Sequence, residues 1–209
     1  MSGPADDSGR IPKVTGSVQD WTQLQIDCVR RWHDEPMANP YSGWLKWVCQ
    51  QHAFNFELWH EEDVARNPNV TDARIAEVKR SIDRLNQQRN DWIEKLDDAI
   101  TEFIQQSSVV VAEDAPINTE TPGSAIDRLS IMSLRLFHYA EQLQRQDVDA
   151  GHRSKVEARW LLCQVQHADL SASLQTLIDD IFAGRKRHKT YRQMKMYNDP
   201  SLNPEMSDP

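Results

Sequence analysis

The chain has 209 residues, 24 Lys and Arg against 32 Asp and Glu, a formal charge of −8 and only 39% hydrophobic residues. No run approaches the roughly 20 consecutive apolar residues of a membrane-spanning helix, and the opening MSGPADDSGR lacks the charged-then-apolar order of a secretory signal, so a soluble cytoplasmic protein is expected. The acidic total argues against bulk nucleic-acid binding, which needs local positive charge, and three separated cysteines without a CxxC spacing argue against a disulfide framework or a thiolate metal site.

Residues 1–16 are rich in Gly, Pro, Ser and Asp and read as a mobile tail. From Val18 the apolar residues Val18, Trp21, Leu24, Cys28, Val29 and Trp32 fall at the three-and-four spacing of a helix, with Ser17 as its cap. Pro36 and Pro40 break that helix, and a second one runs from about Ser42 to Arg66. A third restarts at Thr71-Asp72 and reads as heptads from Ile75 to about Phe103, with Ile75, Val78, Ile82, Leu85, Arg89, Trp92, Leu96 and Phe103 on one seam. Residues 105–120 lose the period and predict a loop with a short extended piece at Val109 to Val111. Thr121-Pro122 opens a fourth helix as cap and first helical residue, with a seam of Ile126, Leu129, Leu136, Ala140 and Leu143. A long fifth helix carries Val156, Trp160, Cys163, His167, Leu170, Leu174, Leu177 and Ile181, and Gly184 stops it. The expected fold is therefore all-α: an antiparallel bundle of about five long helices over residues 17–184, followed by a basic C-terminal arm over 185–209 packed on the bundle.

Polar residues interrupt these seams at informative places. On the second helix Trp44, Val48, His52, Asn55, Trp59, Glu62 and Arg66 share one stripe, a mixture of indole, imidazole, amide, carboxylate and guanidinium that suits a lined pocket. The same stripe also suits a solvated face with a core histidine. On the third helix Arg89 occupies a seam position beside Asn86 and Asn90. A guanidinium cannot deprotonate, so Arg89 must meet an anion, either Glu62, Asp63 or Asp127 or a ligand's phosphate or carboxylate, or else reach solvent. The run Glu120 to Arg128 opens the fourth helix with free amides and a glycine, which suits an anion as well as ordinary capping. Six of the 24 positive residues crowd into positions 185–197, a cluster that attracts phosphate, an acidic partner or the bundle's own acidic surface.

Other chemistry is missing from the sequence. There is no GxxxxGK[ST], no GxGxxG after a strand, no GxSxG and no HExxH. Two divalent-metal assemblies are conceivable, His33-Asp34 with His60 and Asp63, or Glu57-Glu61 with Glu94-Asp97, but acidic helices produce such pairs by chance. No resident metal and no cofactor is expected.

The strings that carry these anomalies, His52 to Arg66 (HAFNFELWHEEDVAR), Leu85 to Asp91 (LNQQRND), Glu120 to Ile131 and Tyr191 to Pro200 (YRQMKMYNDP), resemble the bacterial domain-of-unknown-function family 4254 over nearly all of residues 20–204. The family has no established activity. Its members are often encoded near glycosyltransferases of cell-surface polysaccharide synthesis, which implies a nucleotide-sugar, sugar-phosphate or glycosyltransferase context. The loop SSVVVAEDAPIN departs from the family's shorter connection.

The residues together predict one polar pocket between helices: His52, Asn55, Trp59, Glu62, Asp63 and Arg66 from the second, Asn86, Arg89 and Asn90 from the third, and Thr121, Gly123, Ser124, Asp127 and Arg128 from the fourth, closed by Arg192 and Lys195 of the arm. An anionic, sugar-related metabolite is the expected ligand. The alternatives are a non-catalytic adaptor that docks on a glycosyltransferase and a metal-dependent phosphohydrolase.

Overall fold

The structure, a computed structural model, describes residues 16–194 and 201–203. Nearly all of the expected tail, the end of the arm and Lys195 lie outside these residues. Five helices follow in order: α1 (Val18–Asp34), α2 (Gly43–Arg66), α3 (Asp72–Gln106), α4 (Pro122–Gln144) and α5 (Ala150–Phe182). The fold is an all-α bundle, and among the described residues there is no strand. No helix is long and apolar enough to cross a membrane.

Local chemistry sets the helix starts. Ser17 and Asp20 form a reciprocal capping box at α1, and the hydroxyls of Thr71 and Thr121 accept the amides of Arg74 and Ser124 at α3 and α4. Asp149 does the same for α5. Five residues link α2 to α3, and the two helices turn back along each other, as do α4 and α5. α2 is wrapped by α1, α3 and α4 and buries residues on nearly every side, from Trp44 and Val48 through Gln51, His52 and Asn55 to Leu58. This explains why its apolar and polar residues do not separate into two faces.

The main core joins Trp21, Val29 and Trp32 of α1 to Trp44, Val48 and Phe56 of α2, Leu96 and Ile100 of α3, Ile126 and Leu129 of α4, and Leu174 and Ile178 of α5. A smaller cluster of Leu58, Val78, Ile82 and Leu85 seals the far end of the α2–α3 hairpin. Cys28 and Cys49 meet inside the core with unbonded sulfurs 3.7 Å apart. The buried stripe of α3 departs from strict heptads after Leu85: Ile93 is buried where Trp92 is expected, followed by Leu96, Asp97 and Ile100. A straight helix turns every 3.6 residues, so over 35 residues the buried line drifts off a 3.5-residue seam.

Val109 to Val111 form no strand. The loop is instead tied to the end of α5, where the Ala112 amide donates to the Gly184 carbonyl at 3.0 Å and Ile117 bridges Arg187. Gly184 has a φ of +71°, and a Cβ there would lie 2.1 Å from the Val110 carbonyl oxygen, so both backbone conformation and space demand glycine. After it the chain lies along its own bundle: Arg187 donates to the Glu113 carbonyl, His188 Nε2 meets the Asp97 carbonyl at 2.9 Å, and Arg192 pairs with Glu94 and Asp98.

α3 and α4 approach closely at Gly123. Gly123 donates its amide to Asp97 Oδ1 at 2.7 Å, and a Cβ at this position would sit 2.5 Å from the Ile93 carbonyl oxygen and 2.9 Å from the Asp97 carboxylate. Gly123→Ala is expected to destabilise the chain by about 2–3 kcal/mol through overpacking, read as a lower urea midpoint at unchanged slope.

Candidate functional site

Arg89 finds its anion within the protein. Its Nε donates to Asp127 Oδ1 at 2.8 Å and its Nη2 to Asp127 Oδ2, a two-pronged pair across α3 and α4. The Asp127 side chain is 4% exposed and that of Arg89 25%, so the carboxylate is enclosed while one side of the guanidinium reaches outward. Asp127 Oδ1 also accepts Gln51 Nε2 at 2.6 Å and Asn55 Nδ2 at 2.9 Å, both from α2. Asn55 spends its second amide hydrogen on Ser130 Oγ at 2.9 Å, and Ser130 meets His52 Nδ1 at 2.7 Å. Gln25 of α1 extends the layer by donating to the Ile126 carbonyl at 3.2 Å. One polar layer thus ties four helices together.

His52 is wholly buried and its imidazole lies against the Trp32 indole, with ring centroids 5.3 Å apart. Burial drives its pKa down to about 3, against the opposing pull of the Gln25 carbonyl. The ring is neutral at physiological pH. We assign the Ser130 hydroxyl as donor to Nδ1, which puts the ring proton on Nε2. Ser130 and His52 are both sealed from solvent, and the pair holds α2 to α4.

Above this layer a cleft of about 400 Å³ opens to solvent. Asn55, Trp59, Glu62 and Arg66 of α2, Arg89 of α3, and Ile131 and Arg135 of α4 line it. Arg66 is held by Glu62 at 3.0 Å and by Asp63 at 3.4 Å. Arg135 is exposed and has no ion-pair partner among the described residues. Ile131 and Arg135 also line a second cleft, of about 480 Å³, between α4 and α5, with Arg128, Gln166, Asp169 and Ser173. The two clefts therefore meet at Arg135.

The predicted residues divide three ways. Asn55, Trp59, Glu62, Arg66 and Arg89 line the first cleft and Arg128 the second, where it pairs with Glu120 at 2.7 Å. His52 and Asp127 lie beneath as the buried layer, while Asp63 is exposed and reaches the cleft only through Arg66, and Asn86 and Asn90 are half-buried on α3 away from its lining. Thr121, Gly123 and Ser124 stand apart. Their polar groups are taken by the cap and by Asp97, so a carboxylate of α3 fills the anion position that the start of α4 offers. Burial pushes the Asp97 carboxyl above its ordinary range, and the bonds from Thr121 and Gly123 oppose that shift. Arg192 is engaged by Glu94 and Asp98, away from the cleft. Sequence reasoning missed Gln25, Gln51 and Ser130, took Asp97 only as a metal candidate, and missed Arg135, for which the available signal was the helix face it shares with Arg128 and Ile131.

The carboxylates proposed for a metal do not gather: Glu57 and Glu61 sit in a separate cleft with Arg74 and Arg84, whereas Glu94 and Asp97 face the arm and α4. Among the described residues, the one set of three metal-binding side chains within reach of a single ion is His33, His60 and His138.

Two outcomes follow from the buried layer. Arg89→Met leaves the Asp127 charge enclosed and is expected to lose about 3–5 kcal/mol in urea unfolding, whereas Arg66→Met, exposed, loses under about 1 kcal/mol. His52 stays neutral when folded but takes up a proton on unfolding below pH about 6.5, so its contribution is complete above that pH and is lost as pH falls toward 3. Wild-type stability is expected to fall between pH 6 and 4 more steeply than that of His52→Asn, by up to about 1.4 kcal/mol per pH unit.

No curated protein and no solved structure matches the chain. The family model described as a protein of unknown function (DUF4254) matches residues 45–190, which contain α3, α4, α5, nearly all of α2 and every residue that lines the two clefts. The chain belongs to the DUF4254 family.

Proposed function

We propose that the joined clefts bind an anionic, sugar-related metabolite, a sugar phosphate or a nucleotide sugar, in a cytoplasmic protein that serves cell-surface glycan synthesis. The observation that carries this reading is the convergence of Arg66, Arg89 and Arg135 on one cleft walled by the Trp59 indole. Planar guanidinium forks match phosphate oxygens, and an indole face packs against a sugar ring or a base. The volume of about 400 Å³ suits a small ligand, and the second lobe of about 480 Å³ accommodates an elongated one.

Arg135, at the junction and free of an ion pair, holds the phosphate. Arg89 offers its remaining N–H groups from a fixed position, and Glu62 orders Arg66. The glycosyltransferase context comes from the resemblance to family members encoded beside such enzymes. The adaptor reading is supported by Leu161, Leu162 and Val165, each at least half exposed on α5, whereas the basic segment after Gly184 is engaged with the bundle through Arg187, His188 and Arg192.

Thermal shift and calorimetry with UDP-glucose, glucose 1-phosphate and inorganic phosphate test the proposal. At least one of the sugar compounds is expected to bind the wild-type chain, and Arg135→Met to weaken it about tenfold or more while the ligand-free melting temperature stays within about 2 °C, because the side chain is exposed. Equal binding by Arg135→Met, or no binding of any probe at millimolar concentration, overturns it.

A further inference from the structure

Three histidines outside the buried layer converge from three helices. His33 lies in the last turn of α1, His60 near the end of α2 and His138 in α4, and one ligating nitrogen from each falls within 4.8 Å of the other two. The ring centroids stand 5.2 Å apart for His33 and His60, 5.2 Å for His33 and His138, and 6.0 Å for His60 and His138.

In every ring Nδ1 is already engaged. That of His33 meets the Val29 carbonyl at 2.7 Å, that of His60 the Phe56 carbonyl at 2.8 Å, and that of His138 the Glu141 carboxylate at 2.8 Å. Carbonyl and carboxylate oxygens only accept, so in the neutral rings Nδ1 carries the hydrogen and Nε2 carries the lone pair. This is the tautomer that a metal requires, and a carbonyl or carboxylate on the far nitrogen is the usual means of aiming such a ligand. The Nε2 atoms of His33 and His138 are shut off from solvent without a hydrogen-bond partner. Leaving two acceptors buried in this way is unfavourable unless something binds them.

Aromatic rings fix the set from outside. Phe137 stacks on His33 at 4.2 Å, Phe56 lies against His60 at 4.4 Å, and Trp59 lies parallel to His138 at 5.0 Å with an interplanar angle of 9°. His60 also lines a third cleft, of about 380 Å³, which gives an ion a route from solvent.

We infer that His33, His60 and His138 form a three-imidazole site for a divalent transition metal of the zinc class. Three neutral nitrogens without a thiolate suit Zn²⁺, Co²⁺ or Ni²⁺ and are a poor match for Mg²⁺ or Ca²⁺, which take oxygen. Tetrahedral zinc at 2.0–2.1 Å from each nitrogen places the nitrogens about 3.4 Å apart, so the rings close inward by up to about 1.4 Å from their present spacing. Three ligands leave a fourth position for water or another donor. The bound ion joins α1, α2 and α4, and its His138 ligand shares the Trp59 ring with the arginine cleft. The inference does not rest on the anion reading, since none of the three histidines lines that cleft.

The test uses tag-free full-length protein, stripped with chelator, and titrated calorimetrically with Zn²⁺ and separately with Mg²⁺, with Co²⁺ as a visible-absorption probe. One Zn²⁺ per chain is expected, with a dissociation constant of about 1 μM or tighter, no Mg²⁺ binding, and the visible bands of a four-coordinate Co²⁺ ion. His60→Gln and His138→Gln should each weaken Zn²⁺ about 100-fold, while His167→Gln, on α5 outside the cluster, leaves it unchanged. Should either cluster variant fail to fold, the wild-type melting temperature decides, and it should rise with Zn²⁺ relative to chelator. Absence of saturable Zn²⁺ binding, affinity unaltered in the cluster variants, or a melting temperature indifferent to Zn²⁺ overturns the site.

Discussion

The carboxylate of Asp127 sits where water cannot solvate it, and the middle of the bundle is arranged to answer that charge. One guanidinium and two amides converge on it from α3 and α2, and the neighbouring Ser130 passes the network to His52. A buried ion pair of this kind need not add net stability, because desolvating both charges offsets their attraction. It does fix register. A one-residue slip of α2 against α4 would part Asn55 from Asp127 and Ser130 at once, and no apolar residue at either place would penalise the slip as sharply.

A second carboxylate, from α3, organises the first turn of α4, one turn before Asp127. Asp97 occupies the first-turn amide of Gly123, and its own carbonyl receives His188 from the segment beyond α5. The helix start, the close α3–α4 crossing and the returning chain therefore depend on one residue, and glycine at 123 is the condition for the approach. Helix dipoles attract anions whether the anion belongs to a ligand or to the protein, and here a side chain at 2.7 Å has taken the place.

This contrast explains what could be read from the sequence. Helix starts were legible at Ser17, Thr71 and Thr121-Pro122 because a cap is satisfied by residues three positions away. The anomaly at Arg89 was legible because a guanidinium on an apolar seam must either meet an anion or reach solvent. Its partner was not, since Asp127 lies 38 residues away and Glu62 and Asp63 had equal claims until the helices were placed in space. The mixed stripe of α2 ran on one face as the spacing implied, yet its environment changes along the helix: His52 and Asn55 meet α4 inside the bundle, and Glu62 and Arg66 emerge into the cleft. Periodicity reports a face and is silent about how deep each turn lies. For the same reason Gln51 and Ser130 went unseen and Asp97 was read only as part of a metal assembly, because a small polar residue in a helical pattern looks alike on a surface and in a core.

The same depth gradient separates the three guanidiniums that share the cleft. Arg89 is clamped by a buried carboxylate and gives up little freedom when it meets a further acceptor, so it acts as a fixed donor. Arg66 is tethered only by exposed carboxylates, a weak restraint that solvent and salt compete with, and Arg135 has none. A dianionic group entering the cleft would therefore find one rigid contact and two that close around it, with the Trp59 indole as a wall held from behind by the His138 ring. Geometry at the floor is set by folding. Charge at the rim stays exposed, and that difference is why the proposed anion is assigned to this surface rather than to the capped start of α4.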